Sequence, residues 1–566
     1  MEPAHDVTSS EVLVVGGSLV GLSAAMFLAA RGVRTVLVEK HASSSLHPRA
    51  MGFTTRTMEL YRAAGLGAKI PQVPPGFSGP RRISVESLAG KWATEEVAWS
   101  PQKPSAHESE KPPNPPEYSI CTGAAIAQDR LEPVLRERAI EQGADVRMST
   151  TLIAFDQDEQ GVRAVLRSGK GRHYTFTSDY LIAADGASSQ IRDSLEIGRQ
   201  GNGALRTVRS VLFRAPLDRY LESGISQFEI EQPGFRAMLT TYRDGRWLLI
   251  FEDREDCDEA ALRALIEKSI GRSDLPVEII TTGRWDLTAL IADRFSSGRI
   301  FLAGDSAHTL PPARGGYGAN TGIEDAHNLA WKLASVLSGI SAPELLDTYD
   351  AERRPIAWLR HAQIFARPDY QRFARPADRE VPLIDDHAME LGQRYSSSAV
   401  IDSAEGIGAP EDLPLALRPD QWAGQPGTRA PHVWVLLDGV KTSTLDLMQP
   451  DWVLITEDER WVAPSQMASE SLNIKLRCVT VAPAVAAAET TTPASSGPDN
   501  PAVFQKAFGI GSTGASLVRP DGYIAWRSLD MPLDAADILI AVLEQTACVR
   551  HRQDTRVRNP LGHARA

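Results

Sequence analysis

Gly16-Gly17-Ser18-Leu19-Val20-Gly21 lies between an apolar run of strand length, residues 12–15, and a helix-forming stretch, residues 22–30. Glycines at such a junction leave backbone N–H groups free at the positive end of a helix, a setting that holds a pyrophosphate. Glu39 closes the next apolar run, residues 33–38, and its carboxylate is placed to accept hydrogen bonds from an adenosine ribose. Ser18 stands where a GxGxxG pattern has its second glycine, so one side chain narrows the backbone's approach to a ligand. The same residues also suit a purely structural turn. The full series of strand, turn, helix and acidic strand end is what favours a dinucleotide.

Gly304-Asp305-Ser306-Ala307-His308 follows another buried run, residues 299–303. The Asp305 carboxylate then emerges at the carboxyl edge of a sheet, where ligands of open α/β folds bind, and can accept a sugar hydroxyl. An Asp after Gly also serves simply to cap the next turn. Pro311-Pro312 and Gly315-Gly316-Tyr317-Gly318 make a stiff approach, poor in side chains, that passes Ala319 to reach Asn320. A flat cofactor can lie against such backbone. From Ile323 onward, Ala326, Leu329, Leu333 and Leu337 recur at helical spacing, so a helix is expected after the glycine loop with its positive end toward the same place. A third buried run, residues 180–184, ends in Asp185-Gly186.

These turns need a scaffold. Residues 12–38 read as a βαβ unit with a short crossover, which builds parallel sheet. Residues 235–242 and 247–251 flank Asp244-Gly245, a hairpin signal, so an antiparallel sheet is inserted into the parallel one. After about residue 375 the pattern loosens; strands at 433–437, 452–456 and 476–481, a turn at Asp521-Gly522 and a helix at 535–546 then form a separate α/β domain. Residues 101–116 and 490–501 read as surface loops, and the Arg-rich end around Arg550, Arg552, Arg556 and Arg558 as a solvated tail.

The chain has 566 residues, 42% of them hydrophobic and 23% charged, which implies several globular domains and excludes collagen-like or wholly disordered readings. A formal net charge of -12 argues against nucleic acid and anionic membrane as partners. The uncharged stretch 12–30 is broken by glycines, so no membrane span is expected. The N-terminus lacks the early Lys or Arg of a signal peptide. Cys121, Cys257, Cys478 and Cys548 lie far apart, without zinc or redox CxxC spacing; no metal site is expected, and a reducing cytoplasm is the expected compartment.

Together these segments resemble the group A FAD-dependent aromatic hydroxylases of the phenol hydroxylase type, and in particular the bacterial aromatic polyketide hydroxylases acting on aklavinone and tetracenomycin intermediates. The resemblance implies an α/β fold: a GR2-type Rossmann-like FAD-binding domain (1–78, 119–190 and 285–375), an inserted antiparallel-sheet substrate-binding domain (79–118 and 191–284), and a C-terminal thioredoxin-like domain (376–566). It implies that Gly16, Gly17, Ser18, Gly21, Glu39 and Lys40 hold the ADP half of FAD. In His47-Pro48-Arg49-Ala50, Arg49 would reach the phosphates, and Gln128 would contact the ribityl chain. Asp185, in Asp185-Gly186-Ala187-Ser188-Ser189-Gln190-Ile191-Arg192, matches a motif tied to both FAD and NAD(P)H. Gly304 and Asp305 match the riboflavin-binding pair, and Pro312, Gly315, Gly318, Ala319 and Asn320 the loop beside the flavin ring. Ser18 and Arg314 depart from the family pattern. The segments Gly427-Thr428-Arg429-Ala430-Pro431-His432 and Leu517-Val518-Arg519-Pro520-Asp521-Gly522 resemble the family's third domain, structural here because Cys478 has no CxxC partner.

The implied reaction consumes NAD(P)H, with NADPH favoured, and O2, and hydroxylates an aromatic polyketide through a C4a-hydroperoxide of non-covalently bound FAD. A phenol attacks better as phenolate, so a polar group of the inserted sheet should lower its pKa or accept its proton; Tyr242 is the candidate, with Arg367 as electrostatic partner. An ordinary sheet tyrosine is the plainer reading of Tyr242. Baeyer–Villiger oxygenation, hydroxylation of a simple phenol, and flavin or ligand sequestration without turnover are the rival functions. The expected partners are a small aromatic substrate and O2, with the chain a monomer or homodimer.

Overall fold

The computed structural model describes residues 8–45, 47, 50–77, 79–97, 116–253, 257–313, 316–401, 413–448, 450–482 and 502–550. Arg49, Arg314, Gly315, nearly all of the loop expected at 101–116, the loop at 490–501 and the Arg-rich tail after Arg550 lie outside the described residues. The chain divides into two compact units: one of Met1–Ala330, Arg353–Gln393 and Pro414–Gln421, and one of Trp331–Glu352, Arg394–Leu413 and Trp422–Ala566.

The first unit contains two large sheets. Among the described residues one runs in the order Ser296–Ser297, Ile300–Leu302, His173–Ala183, Ser9–Val15, Thr35–Val38, Asp145–Arg147. Its centre is parallel, with Val12 opposite both Tyr180 and Thr35. Every residue of Thr35–Val38 is buried, which is why this strand reads as a continuous apolar run without alternation. The helix Leu19–Ala29 fills the first crossover and ends before Gly32, as the sequence implies. The strand His173–Ala183 is longer than residues 180–184, because its first half pairs antiparallel with Val162–Arg167. That half alternates polar and apolar residues and carries no apolar run.

The second sheet follows the order His308–Thr309, Glu278–Ala292, Arg199–Arg214, Arg246–Glu252, Phe235–Thr241, Ile225–Gln232, Arg81–Val85, Trp92–Glu96. The hairpin at Asp244-Gly245 forms where its turn chemistry places it, with Thr241 opposite Trp247. One face packs Phe228, Trp247, Leu249 and Phe251 against Leu262 and Ile266 of the helix Glu259–Ile270.

In the second unit, a four-stranded mixed sheet runs Leu476–Thr480, Trp452–Thr456, Ala515–Val518, Ile524–Ser528. Trp452 and Leu454 enter one apolar cluster with Leu539 and Leu543, whereas Val453 and Ile455 enter another with Phe504 and Phe508. Both faces are therefore covered, giving a thioredoxin-like layering, and the helix Ala535–Thr546 lies where its periodicity predicts. Cys478 is a free thiol whose pKa burial pushes up, which suits a structural role. Among the described residues, no helix is long and apolar enough to cross a membrane.

One expectation is corrected. The helix predicted from Ile323 starts at Tyr317 and runs to Leu337, so Gly318, Ala319 and Asn320 form its first turn. The apolar period cannot report those residues. Asn320 is held there by long-range hydrogen bonds that offset the poor helix propensity of Gly and Asn.

Candidate cofactor site

The glycine turn leaves the strand Ser9–Val15 with Gly16 at φ +111°, and a Cβ there would lie 2.2 Å from the Ala184 carbonyl oxygen. Backbone of the two neighbouring strands therefore meets at a point no side chain can occupy. The helix Leu19–Ala29 that follows has neither a side-chain cap nor an acidic residue in its first turn, so its leading N–H groups remain available to an anion. Glu39 accepts a 2.6 Å hydrogen bond from the Gly17 N–H through one oxygen, and bonds from the His41 N–H and ring through the other. The carboxylate thus sits against the turn it was expected to serve. Lys40 is exposed beside it.

Ser18 is turned away from the helix end. Its hydroxyl donates to Glu132 Oε1 at 2.6 Å, and the same oxygen accepts from Gln128 Nε2 at 2.7 Å. Gln128 opens the helix Gln128–Glu141 and accepts from the Ala50 N–H at 3.3 Å. Sequence reasoning missed Glu132, although its place four residues after Gln128 on one helix face was a legible signal. Because the hydroxyl is engaged by Glu132, restoring the glycine pattern should bring no gain. Ser18→Gly is expected to leave FAD affinity within about threefold and to cost about 1 kcal/mol of stability in urea unfolding, the lost hydrogen bond being the cause. A markedly tighter FAD titration would show that Ser18 does narrow the site.

Asp185 follows the strand His173–Ala183. One oxygen accepts from the Ile191 N–H at 3.3 Å, while the other is buried with no hydrogen-bond partner. Burial pushes its pKa up. A buried acceptor without a donor suits a ligand hydroxyl or N–H. Asp305 lies in the short turn Gly304–Ser306 and is exposed, at the carboxyl edge of the same sheet. Pro312 is also exposed, and its carbonyl accepts a 2.5 Å bond from the Tyr370 hydroxyl. Gly318 and Ala319 are half-buried in the first helical turn. Asn320 is fully buried: its Oδ1 accepts from the Thr54 N–H at 3.0 Å and the Thr57 hydroxyl at 2.6 Å, and its amide donates to the Gly316 carbonyl at 2.8 Å. It ties the glycine loop to the helix Thr55–Ala63.

The two substrate-side candidates have separate surroundings. Tyr242 directly follows the strand Phe235–Thr241, with the Arg246 guanidinium 5.0 Å from its ring. Arg246 in turn binds Asp129, the neighbour of Gln128, at 2.8 Å and Asp244 at 2.7 Å. Burial raises the Tyr242 pKa, with Arg246 opposing, so this phenol stays protonated at neutral pH. Arg367 is buried and donates to Asp386 at 3.1 Å. Nearby Glu390 is pushed up to about 7, first by burial and then by Asp386, and accepts from the Thr55 N–H at 3.3 Å.

The donor set fits FAD: an uncapped helix end for pyrophosphate, Glu39 at the second strand end, an orphan acceptor on Asp185, and an exposed carboxylate at Asp305. The chain matches the FAD binding domain family over residues 9–363 and the aromatic-ring hydroxylase C-terminal family over residues 423–547. It is 38% identical to 4-methyl-5-nitrocatechol 5-monooxygenase of a Burkholderia species, over 95% of this chain and 97% of the other. It is 35% identical to tetracenomycin A2 monooxygenase-dioxygenase of Streptomyces glaucescens, over 94% and 96%. A crystal structure of aklavinone-11 hydroxylase with FAD and aklavinone superposes with a TM-score of 0.81 at 34% identity, covering 95% of this chain and 99% of that one. Two matched domains and full-length similarity agree, and the chain belongs to the FAD-dependent aromatic-ring hydroxylases as a flavin-dependent monooxygenase.

Proposed function

We propose that this chain hydroxylates a polycyclic phenol or quinone of polyketide origin, in antibiotic biosynthesis. The observation that carries this reading is the end-to-end likeness to a hydroxylase solved with aklavinone. FAD, reduced by NAD(P)H, supplies the reaction with O2 chemistry, placing one oxygen atom on the ring while the other leaves as water. The protein's part is binding, orientation and electrostatics. In this reading Gly16, Gly17, Gly21, Glu39 and Lys40 hold the ADP half, Gln128 and Asp305 the ribityl chain, and Asp185 an adjoining hydroxyl. Gly304 gives the close approach behind Asp305, while Pro312, Gly318, Ala319 and Asn320 shape the ring-side backbone; Ser18 supports Gln128 through Glu132. Arg49 and Gly315 keep the roles their motifs imply.

Tyr242, protonated, orients a substrate oxygen by hydrogen bonding and is not the base; Arg367 supplies positive charge that favours a phenolate. The three-part division at 1–78, 119–190 and 285–375, then 79–118 and 191–284, then 376–566, remains our assignment of FAD, substrate and C-terminal domains. A cytoplasmic monomer or homodimer suits four free thiols.

A second reading, hydroxylation of a single-ring phenol, is favoured by the nitrocatechol monooxygenase relative. Anaerobic stopped-flow reduction decides between them. Flavin reduction by NADPH should accelerate severalfold or more with an anthracyclinone phenol, and the aerobic product should gain one oxygen on a ring carbon. Acceleration by a nitrocatechol alone would favour the second reading, and a lactone product would mean Baeyer–Villiger chemistry. NADPH oxidation indifferent to every aromatic ligand would sink both.

A further inference from the structure

Asp325 lies two turns into the helix Tyr317–Leu337 and is fully buried. Three donors converge on its carboxylate. The Gly304 N–H reaches Oδ2 at 3.2 Å, His308 Nε2 donates to the same oxygen at 2.6 Å, and Arg353 Nε donates to Oδ1 at 2.8 Å. Burial alone would push this carboxyl up, but His308 and Arg353 outweigh it and bring the pKa to about 2. Arg353 also binds Glu324 at 3.3 Å and the Thr321 carbonyl at 3.2 Å, which holds its guanidinium against the carboxylate. The helix approaches the turn closely. A Cβ on Gly322 would stand 2.8 Å from the Gly304 Cα, and one on Gly304 would stand 2.8 Å from Val20 Cγ2.

The Gly304 to Asp325 hydrogen bond closes a loop between residues 21 apart in sequence, and the His308 bond, between residues 17 apart, closes most of it again. Inside that loop lie Asp305 and the ring-side residues Pro312, Gly318, Ala319 and Asn320. We propose that Asp325 is a positioning residue for the flavin: by clamping both ends of this loop it sets the direction of the Asp305 carboxylate relative to the ring-side backbone. The inference rests on the reading of Asp305 as a ribityl contact. Asp325 is fully buried and acts through the turn. Its carboxylate is needed because one group must accept from a backbone N–H, an imidazole and a guanidinium at once, and an amide offers only one acceptor atom.

The test is a double-mutant cycle on FAD affinity, measured by fluorescence quenching during titration of flavin-stripped full-length protein. Asp305→Asn alone should weaken FAD binding about tenfold or more. Asp325→Asn should weaken it to a similar degree, with a cooperative melting transition retained and with greater solvent quenching of residual bound flavin. The double variant should bind scarcely worse than the weaker single, since the clamp acts through Asp305. Losses that multiply would overturn the proposal while leaving the Asp305 reading intact. An Asp305→Asn protein with unchanged affinity would instead overturn the Asp305 reading. If Asp325→Asn does not fold, His308→Phe, beside Phe295, replaces it in the same cycle with the same criterion.

Discussion

Gly21→Ala should yield a protein that purifies without yellow colour. A Cβ on Gly21 would lie 1.8 Å from the Gly16 carbonyl oxygen and 3.0 Å from its carbon, and both are backbone atoms that no rotamer can move. The helix Leu19–Ala29 must then lift from the strand whose end forms the glycine turn, at a cost of about 1–3 kcal/mol or more, and its uncapped N–H groups leave their place. The ratio of visible flavin absorbance to protein absorbance should fall nearly to zero, and added FAD should not restore it. Gly32→Ala is the control: a Cβ there meets nothing within 4 Å, and the positive φ of 78° costs only about 1 kcal/mol, so FAD should be retained. Full flavin occupancy in the Gly21 variant would show that the turn does not carry the cofactor.

The largest loss of stability is expected from Arg519→Met. Arg519 is fully buried in the second unit and pairs with Glu352 at 2.6 and 2.9 Å and with Asp521 at 3.1 Å, while Lys332 donates to Glu352 Oε2, one of the two oxygens Arg519 holds, at 2.8 Å. Its guanidinium also lies 5.2 Å from the Trp331 ring. Methionine fills much of the volume but leaves two buried carboxylates with one ammonium, and breaking a buried pair in this way costs about 3–5 kcal/mol. The urea midpoint of the transition reporting this unit should fall accordingly, and Arg519→Lys, which keeps the charge but loses the fork, should fall less. In the folded chain burial pushes the Glu352 carboxyl up, but Arg519 and Lys332 overcome this and hold it well below the usual range. The stability it confers is therefore present above the unfolded carboxylate pKa and lost as pH falls through the folded value. A midpoint unchanged by Arg519→Met would mean that the cluster contributes no net stability.

Much of the candidate cofactor site is legible because its signals are local. Gly16 to Gly21, the apolar strand before them and Glu39 after the next strand are separated by fewer residues than one βαβ unit, so pattern and spacing suffice to locate them. The hairpin at Asp244-Gly245 and the helix Ala535–Thr546 are legible for the same reason: turn chemistry and helical period are properties of neighbouring residues. Asp305 is a candidate from its place after a buried strand, and the family resemblance adds Gln128 and a role for Asp185; each lies at a strand end or helix start.

What only the tertiary structure decided are the partners of buried charged and polar groups. Asp325 meets Arg353 across 28 residues, Asn320 meets Thr57 across 263, and Arg519 meets Glu352 across 167. No periodicity links such pairs, because their attraction becomes strong only after folding has removed water from between them. The early start of the helix at Tyr317 has the same origin: Asn320 is a weak helix former until Thr54 and Thr57 arrive from the far side of the chain. The sequence by itself determined which turns are candidates to face a dinucleotide and the residue chemistry they offer. Folding determined how rigidly they are held, since desolvated hydrogen bonds and ion pairs exist only where distant segments exclude solvent together.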